Sequence, residues 1–84
     1  MSYQIEQNSI EALKSDFPEH QEIIEVIDKD REMFMELATD YYICKRNIQF
    51  AEFDKKEIIA KEYRYTLEDL KQEIETFLIK NEVK

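Results

Sequence analysis

The stretch Phe34-Met-Glu-Leu37-Ala-Thr-Asp-Tyr41-Tyr-Ile-Cys44-Lys-Arg-Asn-Ile48-Gln-Phe-Ala51 spaces its apolar residues three and four apart. That spacing puts Phe34, Leu37, Tyr41, Cys44, Ile48 and Ala51 along one side of a helix. Followed backwards, it passes through Ile27 and Ile23 with one interruption, Asp30, giving a seam about five heptads long. Ile24, Met33, Ala38 and Phe50 flank and widen the seam, a width that suits burial against more than one neighbouring helix.

Upstream, Ser15-Asp16-Phe17-Pro18-Glu19 reads as a helix start. Asp16 can cap, Pro18 suits a first turn, and Glu19 stands three residues after the cap as in a capping box. The spacing therefore predicts a helix over about 17–52. Downstream, a second seam runs through Ile59, Tyr63, Leu67, Leu70, Ile74 and Phe77, one position out of step with the first. A break near 53–55 explains the slip: Asp54 followed by Glu57 repeats the capping-box pattern, and Asp54-Lys55-Lys56 is a polar interruption. The second helix then covers about 56–80. A stutter within one continuous helix is the alternative, because neither Gly nor Pro marks the turn. The expected fold is all-α, an antiparallel helical hairpin with coiled-coil-like heptads.

At 1.5 Å per residue the two helices would measure roughly 50 Å and 37 Å, so the first overhangs the second. The overhang exposes Ile23, Ile24 and Ile27, and such a surface needs a cover. Candidates are residues 1–15, an arm or short helix carrying Ile5, Ile10 and Leu13 with Asn8 or Ser9 as its cap, or a second copy, or a different protein.

Composition bounds the function classes. The chain has 84 residues with no Gly, no Trp and one Pro, so it makes one small domain and lacks the residue that reaches positive φ cheaply. Phosphate-cradling loops and hairpin-rich β folds are disfavoured on that ground. Twenty acidic residues against twelve basic ones give a net charge of −8, which repels nucleic acid and anionic membranes as a class. Apolar runs such as Phe77-Leu78-Ile79 fall far short of the roughly 20 residues that span a bilayer, and Met1-Ser-Tyr-Gln-Ile-Glu lacks signal-peptide features. The expectation is a soluble, cytoplasmic protein. Cys44 stands alone, so it offers no internal disulfide and fits a reducing compartment.

Charge is uneven along the chain. Residues 1–32 carry nine acids and three bases, whereas 53–66 carry four bases and three acids. Lys45, Arg46, Lys55, Lys56, Lys61 and Arg64, with Tyr63 and Tyr65 between them, can form a basic tip for an acidic partner or RNA. Ordinary helix-surface pairing with Glu52, Glu57 and Glu62 is the simpler account, and nucleic acid is not the expected partner.

No residue pattern calls for a metal, a cofactor or catalysis. His20 beside Glu19 and Glu22 is an incomplete ligand set, and Cys44 on the seam reads as a small buried hydrophobe without an activating base. Glu22, Glu25 and Asp28, like Glu32, Glu36 and Asp40, read as solvated faces, lacking the Glu-x-x-His motif of carboxylate bundles. Asp30 on the seam either fixes register or marks a turn facing water. The expected function is a non-catalytic interaction module. Its seam, Ile23, Ile24, Ile27, Phe34, Leu37, Leu70, Ile74 and Phe77, would pair with a second copy, as a homo-oligomer, or with a partner helix. A small adaptor or chaperone shielding a client is the alternative, and RNA binding at the tip a further one.

Phe17-Pro18-Glu19-His20, then Ile23-Ile24, Ile27, Phe34 and Leu37, then Leu70-Lys71-Gln72-Glu73-Ile74 and Leu78 resemble the YdcH-like small bacterial proteins of unknown function. The resemblance spans about residues 17–78 and implies a bacterial, cytoplasmic helical hairpin or coiled coil, with no catalytic residue. The chain departs from that pattern in the segment before Phe17, in Tyr41 where histidine is common, and in Cys44-Lys45 where leucine-aspartate is frequent.

Overall fold

A computed structural model describes residues 2–27 and 31–82, and every element among them is helical. Helix α1 spans Ser2–Asp16, a single 3-10 turn covers Pro18–His20, and α2 spans Gln21–Val26. The two long helices follow, α3 from Arg31 to Phe53 and α4 from Glu57 to Glu82. The all-α class is therefore established. Early α3 meets late α4 and late α3 meets early α4: Phe34 lies on Phe77, Cys44 on Tyr63, and Glu52 on Arg64, so the two helices run in opposite directions.

The core lies where α1, the short α2 and the α3–α4 pair converge. Leu13, Phe17, Ile24, Ile27, Phe34, Ala38, Tyr41, Ile74 and Leu78 form one buried cluster. Phe34 stacks on Phe77 with ring centroids 5.6 Å apart, and Phe17 tilts against Tyr41 at 6.0 Å. Each large apolar side chain so buried contributes roughly 1.5–3 kcal/mol. The cover over the α3–α4 seam comes from the chain's own α1, 3-10 turn and α2, through Leu13, Phe17, Ile24 and Ile27. Ser9, a candidate cap by residue type, lies inside α1, fully buried, and its hydroxyl donates to the Ile5 carbonyl at 2.7 Å. That bond satisfies a polar group with no outside partner needed.

The helix expected over 17–52 is not continuous. Asp16 ends α1 instead of capping the next helix; Phe17, with φ −126° and ψ 64°, precedes the 3-10 turn and makes no side-chain cap. Phe17 N–H donates to the Leu13 carbonyl at 2.8 Å and His20 N–H to the Phe17 carbonyl at 3.0 Å, so the backbone turns through a closed bend. Pro18 does occupy the first turn, as its fixed φ and missing donor favour. At Ile27 the chain becomes extended (φ −66°, ψ 124°), ending α2. Asp30, the interruption in the seam, lies outside the described residues.

The link between α3 and α4 is a left-handed C-terminal cap. Lys55 has φ 60°; Lys55 N–H donates to the Glu52 carbonyl at 3.0 Å and Lys56 N–H to the Ala51 carbonyl at 2.8 Å. These are the paired bonds of a Schellman motif, usually built on Gly and here built on lysine. Asp54 does not cap α4: its N–H bonds back to the Phe50 carbonyl at 3.0 Å, and the Lys56 carbonyl accepts the first bond of α4, from Ala60. Asp54 thus belongs to the exit of α3, and α4 begins two residues later than the capping-box pattern suggests.

Candidate functional site

The seam residues expected to meet a partner turn inward within one chain. Ile24, Ile27, Phe34 and Ile74 are buried, and Ile23, Leu37, Leu70 and Phe77 are half-buried against the same cluster. In this conformation they hold the domain together and present little surface to another helix. Ala60 and Leu78 are buried beside the second seam, whereas Met33 and Phe50, expected to widen the first, face solvent.

The six cations of the expected basic tip separate into three groups. Lys45 Nζ donates to Asp16 Oδ2 at 2.6 Å, and the same carboxylate oxygen accepts the Tyr41 hydroxyl at 2.5 Å. Burial works against ionising Asp16, but the hydrogen bonds from Lys45 and Tyr41 more than offset it and hold the carboxyl below its usual range. Burial, then the bond to Asp16, pushes the Tyr41 phenol far above its ordinary value, so it remains a donor. This cluster fastens the end of α1 to the middle of α3 and removes Lys45 from the tip. Arg64 is likewise engaged, with Glu52 at 2.6 Å. Lys55, Lys56 and Lys61 are exposed and make no ion pair among the described residues.

Arg46 has a different role. Its guanidinium lies 5.4 Å from the Phe50 ring centroid and 5.8 Å from that of Tyr42, and its Nη1 donates to the Tyr42 hydroxyl at 3.1 Å. Arg46, Phe50 and Phe53 stand at i, i+4 and i+7, on one face of the last turns of α3. Phe50 is 56% exposed and Phe53 86% exposed. Sequence reasoning missed this face because Phe50 sits next to the seam and Phe53 beside the turn. The available signal was two aromatics off the 3–4 spacing, three residues apart and ahead of Lys55-Lys56.

A second surface, of mixed polarity, occupies the opposite end of the 45 Å long molecule. Pro18 and Glu19 of the 3-10 turn and Gln21, Glu22, Ile23 and Val26 of α2 line an open depression that Asn81 and Glu82 complete. Val26 is 71% exposed. His20 Nδ1 lies 2.5 Å from Glu82 Oε2 and ties the end of α4 to the 3-10 turn. That contact gives His20 a structural role.

Cys44 is buried, with its thiol 3.2 Å from the Tyr63 carbonyl, and burial pushes its pKa up, the reverse of what a nucleophile needs. Glu25 pairs with Lys14 at 2.8 Å, Asp28 lies outside the described residues, and Glu32, Glu36 and Asp40 point into solvent. Among the described residues no three His, Cys, Asp or Glu side chains gather as a metal-binding group, and no helix is long and apolar enough to cross a membrane. The chain matches no family model, no curated protein and no solved structure. Its class therefore rests on its own helices.

Proposed function

We propose that this protein is a non-catalytic protein–protein interaction module that docks through the face formed by Arg46, Phe50 and Phe53. The supporting observation is the contrast between a seam buried by the chain's own α1 and α2 and two phenylalanines left in solvent beside a stacked arginine. Arginine and aromatic side chains dominate binding hot spots, and a guanidinium already stacked on its neighbour has less conformational freedom to lose on binding. The α3–α4 hairpin serves as a stiff arm that carries this face beyond the end of α1. The resemblance to the YdcH-like proteins adds a bacterial, cytoplasmic setting to the proposal. RNA binding is less favoured, because Asp16 and Glu52 already engage two of the six tip cations in a chain of net charge −8.

The test is affinity capture from the native host with the wild type and with Phe50→Ser/Phe53→Ser. Both residues are exposed, so the variant keeps its melting midpoint while its captured partner is lost. Equal capture by the two proteins would refute the docking face.

A further inference from the structure

We infer that the occupant of the Arg46–Phe50–Phe53 face is the α2 end of a second copy, giving head-to-tail association. This inference rests on the docking-face reading and names its partner. The two surfaces are complementary in net charge, and each carries apolar side chains inside its charged rim. At one end, exposed Phe50 and Phe53 are bordered by Arg46, Lys55 and Lys56 with Asp54 and Glu57 among them, a net positive rim; at the other, half-buried Ile23 and exposed Val26 are bordered by Glu19 and Glu22. None of Lys55, Lys56, Glu19 and Glu22 has an ion-pair partner among the described residues, so all four charges are free to meet.

The alternative self-contact, tip against tip, would bring together two rims of net positive charge, in which Asp54 and Glu57 only partly offset Arg46, Lys55 and Lys56, and base against base would bring together two rims carrying Glu19 and Glu22. Like charges placed opposite one another disfavour both. Contact between unlike ends avoids this, and it leaves one face of each kind open at the ends of the pair. Such a contact is heterologous, so assembly continues beyond the dimer, into a ring or an open chain. Each contact is small, two aromatic and two aliphatic side chains with a charged rim, which belongs to the weak, transient class of interface. Its ionic part lies at the rim, where salt screens it.

The experiment is sedimentation velocity on the full chain from about 10 μM to about 1 mM, at low salt and at about 0.5 M, where the screening length is only a few Å. Four samples are compared: wild type, Glu19→Lys/Glu22→Lys, Lys55→Glu/Lys56→Glu, and an equimolar mixture of the two variants. All substituted positions are exposed, and circular dichroism confirms that each variant folds. The wild type shows a mass that rises with concentration past the dimer and falls back in salt. Each variant alone associates at least about tenfold more weakly, ~1.4 kcal/mol. The mixture recovers assembly, because each reversed end now meets an opposite charge on the other variant.

A wild type that stays monomeric at the highest concentration overturns the inference, as does a mass that stops at the dimer and ignores Glu19→Lys/Glu22→Lys. Failure of the mixture to recover assembly overturns it too. A further variant separates the two levels of the argument. If association is lost in Phe50→Ser/Phe53→Ser but survives reversal of Glu19 and Glu22, the docking face stands and the head-to-tail partner falls. If association survives Phe50→Ser/Phe53→Ser, the head-to-tail inference falls, and the docking face is decided by the capture experiment alone.

Discussion

Replacing Lys55 with glycine should make this protein more stable, although it removes a side chain. Lys55 is the residue at φ 60° in the α3–α4 link, and the chain contains no glycine to take that position. An L-residue held in the left-handed region costs about 1–2 kcal/mol, from the clash of its Cβ with the neighbouring carbonyl. Glycine removes the clash but gains freedom in the unfolded chain, which returns about 0.4–1 kcal/mol of that benefit. The net expectation is a stabilisation of about 0.5–1 kcal/mol. For a domain of this size, 1 kcal/mol corresponds to roughly 4–8 °C in Tm, so the midpoint rises by about 2–8 °C. Thermal and urea melts followed by far-UV circular dichroism measure it, with Lys55→Ala as the control. Alanine removes the charge but keeps the Cβ, so it leaves the midpoint nearly unchanged. If Lys55→Gly melts at or below the wild type, or if Lys55→Ala gains as much, the left-handed cap is not what joins the helices.

Other consequences follow from burial and charge. Phe34→Ala, which empties a fully buried site stacked on Phe77, should cost about 3–5 kcal/mol in denaturant melts, whereas Phe53→Ala on the exposed face should stay within about 0.5 kcal/mol. Asp16 has a folded-state pKa below its ordinary value, so its contribution is complete above the unfolded carboxylate pKa of about 3.9 and fades as pH falls through the lower folded value. Acid titration of stability should show that loss, and Asp16→Asn should flatten it. Tyr41 has the opposite sign: its pKa is raised, so its contribution holds below the ordinary phenol value near 10 and is lost as pH rises beyond it. Tyr41→Phe should remove that alkaline limb. Cys44 should react with a thiol reagent at pH 8 only as fast as the domain opens, and quickly in denaturant; rapid labelling of the native protein would contradict its burial.

Much of the helical framework was legible because it obeys a period. Phe34, Tyr41, Cys44 and Ala51 on the first seam and Ile74 on the second all point inward, as spacings of three and four require. The interruption at Ile27 was hidden by the same rule: Ile23, Ile27 and Phe34 stay in phase across the break, so the pattern persists where the helix does not. Asp16-Phe-Pro-Glu19 misled for a chemical reason. An aspartate ahead of proline resembles a cap, and nothing local reveals that its carboxylate is taken by Tyr41 and Lys45, 25 and 29 residues away. The same long-range bond removed one cation from the expected basic tip. The length of α1 was obscured because Asn8 and Ser9 favour caps in isolation, yet in the fold Ser9 bonds its own helix and Asn8 Nδ2 reaches the Tyr42 hydroxyl at 3.3 Å. The docking face was the least legible feature, because exposure of Phe50 and Phe53 depends on where α1 ends over α3.

The central claim is that Phe53 meets protein while Phe34 holds the core, and a photo-crosslinking side chain placed at each position in living cells of the native host tests it most directly. The account predicts an intermolecular adduct from position 53, mapping to Glu19–Val26 of another copy if the head-to-tail contact forms, and only intramolecular products from position 34. An absence of intermolecular adducts at position 53, or the same adducts from an outward control such as Gln72, would contradict it.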